Sequence, residues 1–225
     1  MRYEVKAFKK ISYIIRYPNG YAEKKKYPVI LFLHGAGSRG NNIAKLKENP
    51  YFNITDKFEN FPVITFAPQC NEDTWFDLFE LLKEFVYEIC ISDFSDLRKI
   101  YAVGASMGAY AVWQLAMSLP DVFSAIVPIC GGGMYWNARR LANMNVWAFH
   151  GKKDKVVYSE ESVKMVESIN QVGGNAKLTV YRDNEHDSWS DTYSNYEVFE
   201  WLLSCENKKI TMDKKRVLDD PKIYG

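Results

Sequence analysis

The sequence lacks any marked excess of charge. Its 29 lysines and arginines against 28 aspartates and glutamates leave a formal charge of +1 over 225 residues. Nucleic-acid binders and polybasic membrane-surface proteins rely on an excess of positive charge, so this balance argues against both classes. No apolar run approaches the roughly 18–20 residues that span a bilayer. The N-terminal segment also lacks the apolar core of a secretory signal, which predicts a cytoplasmic protein.

Cysteine and histidine are both scarce. The four cysteines, Cys70, Cys90, Cys130 and Cys205, form no CxxC pair, and their spacing matches no zinc pattern. We therefore expect buried free thiols in a reducing compartment, and no bound metal. The chain holds only three histidines, which limits the choice of a catalytic base to His34, His150 and His186.

Short apolar runs alternate along the chain with segments of helical periodicity. The predicted strands are 11–17, 29–33, 63–67, 98–103, 125–129, 146–149 and 177–181, and the predicted helices are 75–91, 107–119, 160–172 and 191–203. This alternation predicts an α/β fold with a mostly parallel central sheet and helices on both faces. We expect one domain over residues 1–205, a polar C-terminal tail at 206–225, and a minimal lid or none, since these elements use nearly the whole chain.

A GxSxG motif, Gly104 to Gly108, lies between a predicted strand and a predicted buried helix. In that context a sharp turn exposes the hydroxyl of Ser106 at a helix N-terminus, where the positive end of the dipole favours developing negative charge. Glycines on either side of the serine indicate that neighbouring backbone passes too close for a side chain. The alternative is an ordinary N-cap serine between two glycines. The motif thus predicts Ser106 as a nucleophile.

A nucleophilic serine needs a base and an acid that orients the base. His186 lies in a polar loop after the last predicted strand, from which it can reach Ser106. His34 and His150 each end a strand and are followed by glycine, which is typical of histidines that fix a turn. Asp154 follows the strand that ends at His150. The order Ser106, Asp154, His186 is the order that α/β-hydrolases use.

An oxyanion hole completes this arrangement. We expect one backbone N–H from Met107, the residue after the nucleophile, and a second from Ala36 in the small-residue loop after the strand 29–33. The same loop, residues 35–40, is a literal GxGxxG and could indicate a dinucleotide site. That alternative requires an acidic residue at the end of the next strand, where the chain has Ala67-Pro68-Gln69. The predicted chemistry needs neither a metal nor an organic cofactor.

Together these motifs resemble the α/β-hydrolase superfamily, and more narrowly the small esterases and prolyl-oligopeptidase-like "predicted peptidases" related to carbohydrate esterase family 1. The matching segments are LHGAGSRGNN (33–42), APQC (67–70), VGASMGAY (103–110), PICGGG (128–133), HGKKDKVV (150–157) and EHDSW (185–189). The resemblance implies the triad Ser106, Asp154 and His186, with Ala36 in the oxyanion loop. It also implies hydrolysis of carboxylic esters, often acetyl or hydroxycinnamoyl esters of carbohydrates.

The chain departs from the family pattern at Ala109, where a glycine is usual, and in lacking a visible secretion signal. The second departure favours a small-molecule or soluble oligosaccharide ester over a polymer. Aromatic side chains near the expected mouth are candidate substrate contacts, and we single out Trp75, Trp136 and Trp189. The alternative is that they are ordinary aromatic residues of the core and of the rim. The alternatives are a serine peptidase or aminoacyl-peptide hydrolase, a thioesterase or lysophospholipase, and a non-catalytic binding module on the same scaffold. The sequence leaves the oligomeric state open.

Overall fold

A computed structural model describes residues 1–208, which form an eight-stranded sheet with helices on both faces. The strands are β1 (Arg2–Phe8), β2 (Ile11–Tyr17), β3 (Tyr27–Leu33), β4 (Ile64–Pro68), β5 (Ser95–Ala105), β6 (Ala125–Ile129), β7 (Asn145–Gly151) and β8 (Ala176–Tyr181). Their order in the sheet is β1-β2-β4-β3-β5-β6-β7-β8. The pairs β1–β2 and β2–β4 are antiparallel and the remaining pairs are parallel, so the mostly parallel sheet is confirmed.

Two layers of helices cover the sheet. The helices are α1 (Ile43–Lys47), α2 (Pro50–Thr55), α3 (Phe79–Ile91), α4 (Met107–Ser118), α5 (Glu160–Gln171), α6 (Trp189–Ser194) and α7 (Tyr196–Ser204). Helices α3, α4 and α5 pack on one face and α1, α2, α6 and α7 on the other. The strand β3 shows why both faces are covered: Val29 and Leu31 join the first core, whereas Ile30 and Phe32 join the second.

The structure differs from the sequence prediction in three respects: one strand, two short helices and the bounds of two longer helices. β1 is an edge strand whose residues are exposed or half-buried, so it has no buried apolar run to reveal it. Residues 41–60, where the sequence pattern predicts neither a helix nor a strand, contain α1 and α2, which bury Leu46, Tyr51 and Phe52. The predicted helix 75–91 begins only at Phe79, and the predicted last helix is two helices that meet at Asn195.

The described residues also bear on the cysteines and on the predicted tail. Cys70, Cys90 and Cys130 are buried free thiols, as expected, and Cys205 is half-buried. Residues 209–225 of the predicted tail lie outside the described residues, and the division into a domain and a tail stays a prediction. In residues 1–208 no helix combines the length and the apolar character that crossing a bilayer requires.

Candidate active site

Three loops at the carboxyl ends of β5, β7 and β8 bring Ser106, Asp154 and His186 together. Nε2 of His186 lies 2.9 Å from the Ser106 hydroxyl oxygen, and Nδ1 of His186 lies 2.7 Å from Oδ2 of Asp154. Since a carboxylate only accepts hydrogen bonds, Nδ1 carries the ring proton and Nε2 is left to accept from the serine hydroxyl. The three predicted catalytic residues therefore form one continuous chain of hydrogen bonds.

Ser106 adopts a strained backbone conformation between β5 and α4. Its φ of 53° lies in the left-handed region, which is costly for a residue with a side chain. Gly104 and Gly108 have no room for a side chain because neighbouring backbone lies too close, as the sequence predicts. A Cβ on Gly104 would lie 2.5 Å from the carbonyl oxygen of Gly108, and a Cβ on Gly108 would lie 1.9 Å from that of Leu33. Backbone contact thus requires glycine at both positions and holds the Ser106 hydroxyl at the sheet edge.

The Asp154 carboxyl is buried and fully hydrogen-bonded. Oδ1 accepts from the backbone N–H groups of Val156, at 2.8 Å, and Val157, at 2.9 Å, while Oδ2 accepts from His186. Burial alone would raise the pKa of this carboxyl. The hydrogen bonds from His186, Val157 and Val156 outweigh that effect, and the pKa lies below its ordinary value. Asp154 is therefore a carboxylate at neutral pH and can stabilise a protonated His186.

The other two histidines are buried and fix turns, as predicted. His34 donates from Nδ1 to the carbonyl of Gly35, at 2.7 Å, and its Nε2 accepts from the backbone N–H of Cys70, at 3.0 Å. Burial lowers the pKa of His34 to about 4, so it is neutral at pH 7. Nδ1 of His150 lies 2.7 Å from the Ser162 hydroxyl, and its Nε2 lies 2.8 Å from the carbonyl of Val157.

The predicted oxyanion residues lie on two elements that meet at Ser106. Met107 is the first residue of α4, so its backbone N–H has no acceptor within the helix. Ala36 begins a short 3₁₀ helix, Ala36–Ser38, in the loop after β3. A Cβ on Gly35 would lie 3.5 Å from Cβ of Ser106, so this loop packs against the serine. Arg39 holds the loop by donating to the carbonyls of Ala36 and Asp73.

One predicted substrate contact is wrong. Trp75 is fully buried, donates from its indole nitrogen to the carbonyl of His34 at 3.0 Å, and packs on the His34 ring. Trp75 therefore packs against the start of the predicted oxyanion loop, and its buried ring cannot contact a ligand. Trp136 is 73% exposed in the segment after β6, which agrees with a surface role. Trp189 is half-buried, and its ring stands edge-on to His186, with centroids 5.4 Å apart.

Sequence reasoning missed the contacts that hold the His186 loop in place. The backbone N–H of Lys152 donates to the carbonyl of Tyr181, at 2.8 Å, and that of Lys153 donates to the carbonyl of Asn184, at 2.9 Å. The loop of Asp154 and the loop of His186 are thereby joined through backbone. The one feature of the sequence that could have indicated these contacts is Gly151, directly after His150, because a glycine there leaves room for the loop of His186. In the described part of the chain, no group of three or more acidic, histidine or cysteine side chains is arranged to bind a metal ion.

Several solved structures share this architecture. A thermostable esterase matches with a TM-score of 0.72 and 28% identity, over 91% of this chain and 63% of its own length. Est1E from Butyrivibrio proteoclasticus, in a structure with bound ferulic acid, matches with a TM-score of 0.66 and 16% identity, over 88% of this chain and 98% of its own. Pyrococcus horikoshii acylaminoacyl peptidase matches with a TM-score of 0.65 and 14% identity, over 96% of this chain and 44% of its own.

The chain has the α/β-hydrolase fold. The resemblance to esterases of this fold, inferred above from motifs, is confirmed by the thermostable esterase, and the other two neighbours show the same fold. This chain spans less than two thirds of the thermostable esterase and less than half of the peptidase. Neither a protein-family model nor a curated protein matches the sequence.

Proposed function

We propose that the protein is a serine hydrolase of carboxylic esters, with Ser106 as nucleophile, His186 as general base and Asp154 as its partner. One observation carries the proposal. The Asp154 carboxylate, the His186 ring and the Ser106 hydroxyl are linked by contacts of 2.7 and 2.9 Å, and the serine backbone is strained. These are the geometry and the roles by which a serine triad is recognised on unrelated folds.

The first step is acyl transfer to the serine. Nε2 of His186 takes the hydroxyl proton as Oγ of Ser106 attacks the ester carbonyl, and Asp154 stabilises the imidazolium that forms. The carbonyl oxygen becomes an oxyanion, which accepts hydrogen bonds from the backbone N–H groups of Ala36 and Met107. His186 then gives its proton to the departing alcohol. The products of this step are an acyl-serine and the free alcohol.

Water completes the reaction by the same route. His186 removes a proton from the water molecule, which attacks the acyl-serine and passes through a second oxyanion at the same two N–H groups. Collapse of this intermediate releases the carboxylic acid, and the proton returns from His186 to Ser106. Losing one oxyanion donor typically costs about 2.7–4 kcal/mol of transition-state stabilisation, so the loop of Ala36 is central to the rate.

Exposed aromatic side chains in the segments after β6 and β7 support the choice of substrate class. Trp136 and Tyr135 lie in the segment after β6, and Tyr158 lies four residues after Asp154, and all three are exposed. Such rings stack on sugars and on aromatic acyl groups. Est1E, which shares the fold, has a structure with ferulic acid bound. We therefore take short-chain acyl or hydroxycinnamoyl esters of carbohydrates as the substrates, with Trp136 as a substrate contact.

The test compares wild type with Ser106→Ala on p-nitrophenyl acetate, butyrate and octanoate, methyl ferulate and an acetylated xylo-oligosaccharide. We expect the substitution to lower kcat by about 10⁴-fold or more on every ester that wild type hydrolyses. Ser118→Ala, at the other end of α4, is the matched control and should leave the rates unchanged. Wild-type rates in Ser106→Ala would disprove the mechanism, and fastest turnover of octanoate would replace the carbohydrate ester with a lipid or thioester.

A serine peptidase is the second candidate, because the acylaminoacyl peptidase of Pyrococcus horikoshii shares the fold. The same triad can cleave an amide if the leaving amine is protonated by His186. N-acetyl-alanine p-nitroanilide separates the two activities. A larger Ser106-dependent kcat/KM for this amide than for p-nitrophenyl acetate would favour the peptidase.

A further inference from the structure

The Asp154 carboxylate contacts a second imidazole ring, which the reaction described above does not use. Nε2 of His150 lies 3.3 Å from Oδ2 of Asp154, the oxygen that accepts from His186 at 2.7 Å. The His150 ring is fully buried at the end of β7. One carboxylate oxygen therefore lies between the two histidines, so a charge on the His150 ring would act on the same oxygen that accepts from His186.

The hydrogen-bond partners of His150 indicate its protonation state. Nε2 lies 2.8 Å from the carbonyl oxygen of Val157, which can only accept, so Nε2 carries a proton. Nδ1 lies 2.7 Å from the hydroxyl of Ser162, and that hydroxyl donates its single proton to the carbonyl of Gly131, at 2.9 Å. With the hydroxyl proton directed at Gly131, the hydroxyl oxygen accepts from Nδ1. This arrangement places a proton on both ring nitrogens, as in an imidazolium.

His34 is a contrasting case in the same chain. It is equally buried, but its two partners are one acceptor, the carbonyl of Gly35, and one donor, the N–H of Cys70. A neutral ring satisfies both of these contacts, and no carboxylate is needed beside it. The partners of His150 are both acceptors, and a carboxylate lies next to the ring. The difference follows from hydrogen-bond chemistry, because only an imidazolium donates from both nitrogens.

We propose that His150 is a positioning residue of the active site: a buried imidazolium that is a permanent counter-ion of Asp154 and limits the charge that Asp154 exerts on His186. This inference rests on the proposed esterase function. A buried carboxylate with His186 as its only counter-ion would favour the protonated form of His186, which cannot accept the Ser106 proton. With His150 as a resident cation, the carboxylate orients His186 while leaving it neutral and basic between turnovers.

Other titratable groups surround the pair. Those that act on Asp154 or its neighbours are Glu161 on α5, Tyr110 on α4, Cys130 after β6 and Asp187 in the loop of His186. Burial raises the pKa of Tyr110, and it raises the pKa of Cys130 to about 12, so both are neutral at pH 7. Glu161 lies 3.7 Å from Nζ of Lys164, which offsets its charge. Asp154 is the carboxylate in contact with the His150 ring.

Nitrogen-15 NMR of the histidine rings tests the protonation state directly. At pH 7 we expect both nitrogens of His150 to resonate in the protonated range, whereas His34 should show one protonated and one unprotonated nitrogen. His34 thus serves as an internal reference, and His150→Gln assigns the signals. An unprotonated nitrogen on His150 at pH 7 would overturn the proposal.

The pH profile of kcat/KM tests the effect on the base. In His150→Gln the carboxylate acts on His186 without a competing cation, so His186 stays protonated to higher pH. We expect the acidic limb of the profile to move up by about one pH unit. His34→Gln removes a neutral histidine and should leave the limb in place. An unmoved limb in a folded His150→Gln would overturn the proposal, whatever its maximal rate.

A second variant guards against failure of His150→Gln to fold. Ser162→Ala removes the acceptor for Nδ1 of His150, which disfavours the imidazolium and should shift the acidic limb in the same direction. The NMR measurement needs no activity and can be repeated in Ser106→Ala. A missing Ser106-dependent rate would therefore refute the proposed function alone, and a neutral His150 would refute this inference alone.

Discussion

Gly151 lies directly against the backbone of Glu185, the residue before His186. A Cβ built on Gly151 would lie 2.0 Å from the Glu185 carbonyl oxygen and 2.5 Å from that of Asn184. In Gly151→Ala the loop must therefore move away from β7 and carry His186 with it. Because a displacement of about 1 Å can lower a rate about 100-fold, we expect a loss of kcat of that size on p-nitrophenyl acetate.

Gly174→Ala is the matched control for this prediction. Its added methyl group would lie 2.5 Å from a side-chain carbon of Ile169, so it imposes a comparable packing strain after α5, away from the site. Both variants should lose about 1–3 kcal/mol of unfolding free energy in urea. Only Gly151→Ala should lose activity, and equal rates in the two variants would contradict the role assigned to Gly151.

Trp189 is expected to hold the His186 ring more than it contacts substrate. The two rings meet edge-on at 89°, and such aromatic contacts are worth about 0.5–1.5 kcal/mol. Trp189→Ala should therefore lower kcat on p-nitrophenyl acetate about 3–10-fold, and Trp189→Phe should retain most of the rate. A raised KM for methyl ferulate with an unchanged kcat would instead favour the substrate contact predicted from the sequence.

Trp136 is expected to act on substrate affinity. Trp136→Ala removes an exposed ring from the segment after β6, so the KM for methyl ferulate should rise about 5–10-fold while kcat on p-nitrophenyl acetate stays unchanged. Trp201→Ala is the control, since Trp201 packs on Trp147 near the beginning of β7, away from the carboxyl edge. An unaltered KM for methyl ferulate in Trp136→Ala would remove this residue from the site.

His34 predicts a specific pH dependence of stability. Its pKa is about 4 in the folded chain and near 6.5 when unfolded, so between these values the unfolded state binds the extra proton. The stability from this residue is present above pH 6.5 and is lost as the pH falls towards 4. Urea unfolding at pH 7 and pH 5 should show wild type losing about 2 kcal/mol more than His34→Gln. Equal losses would show that the buried ring gains a proton without cost.

Buried runs made the centre of the fold predictable. The strands β3 and β6, and β5 from Ile100 onward, are covered on both faces, so these stretches are continuously apolar and their positions follow from that pattern. β1 was not predicted because an exposed edge strand has no apolar face. The helices α1 and α2 were not predicted because helices of five and six residues are too short to show a periodicity. Asn195 separates α6 from α7 although the apolar spacing runs through it, since its side chain caps α7 by accepting from the N–H of Glu197.

In the candidate site, the proposed catalytic residues were easier to predict than the residues that hold the surrounding loops in place. Ser106, Asp154 and His186 each follow a strand, and parallel strands end at one edge, so their proximity follows from topology. Trp75 was misjudged because its burial depends on the His34 carbonyl and ring, which belong to a distant segment. The role of Ser162 could not be predicted from the sequence either, because its hydrogen bond with His150 joins the first turn of α5 to the end of β7.

β8 is the outer strand on its side of the sheet, and within residues 1–208 it pairs only with β7. An outer strand opens at a lower free energy than a central one, and the proposed base, His186, follows this strand while the proposed nucleophile, Ser106, follows β5 in the interior. Rising urea should therefore abolish turnover before the fluorescence of the buried Trp113 changes, and coincident curves would show that the edge does not open separately. On this expectation, the highest urea concentration at which the chain hydrolyses an ester is set by the opening of one edge strand and lies below the concentration that unfolds the whole molecule.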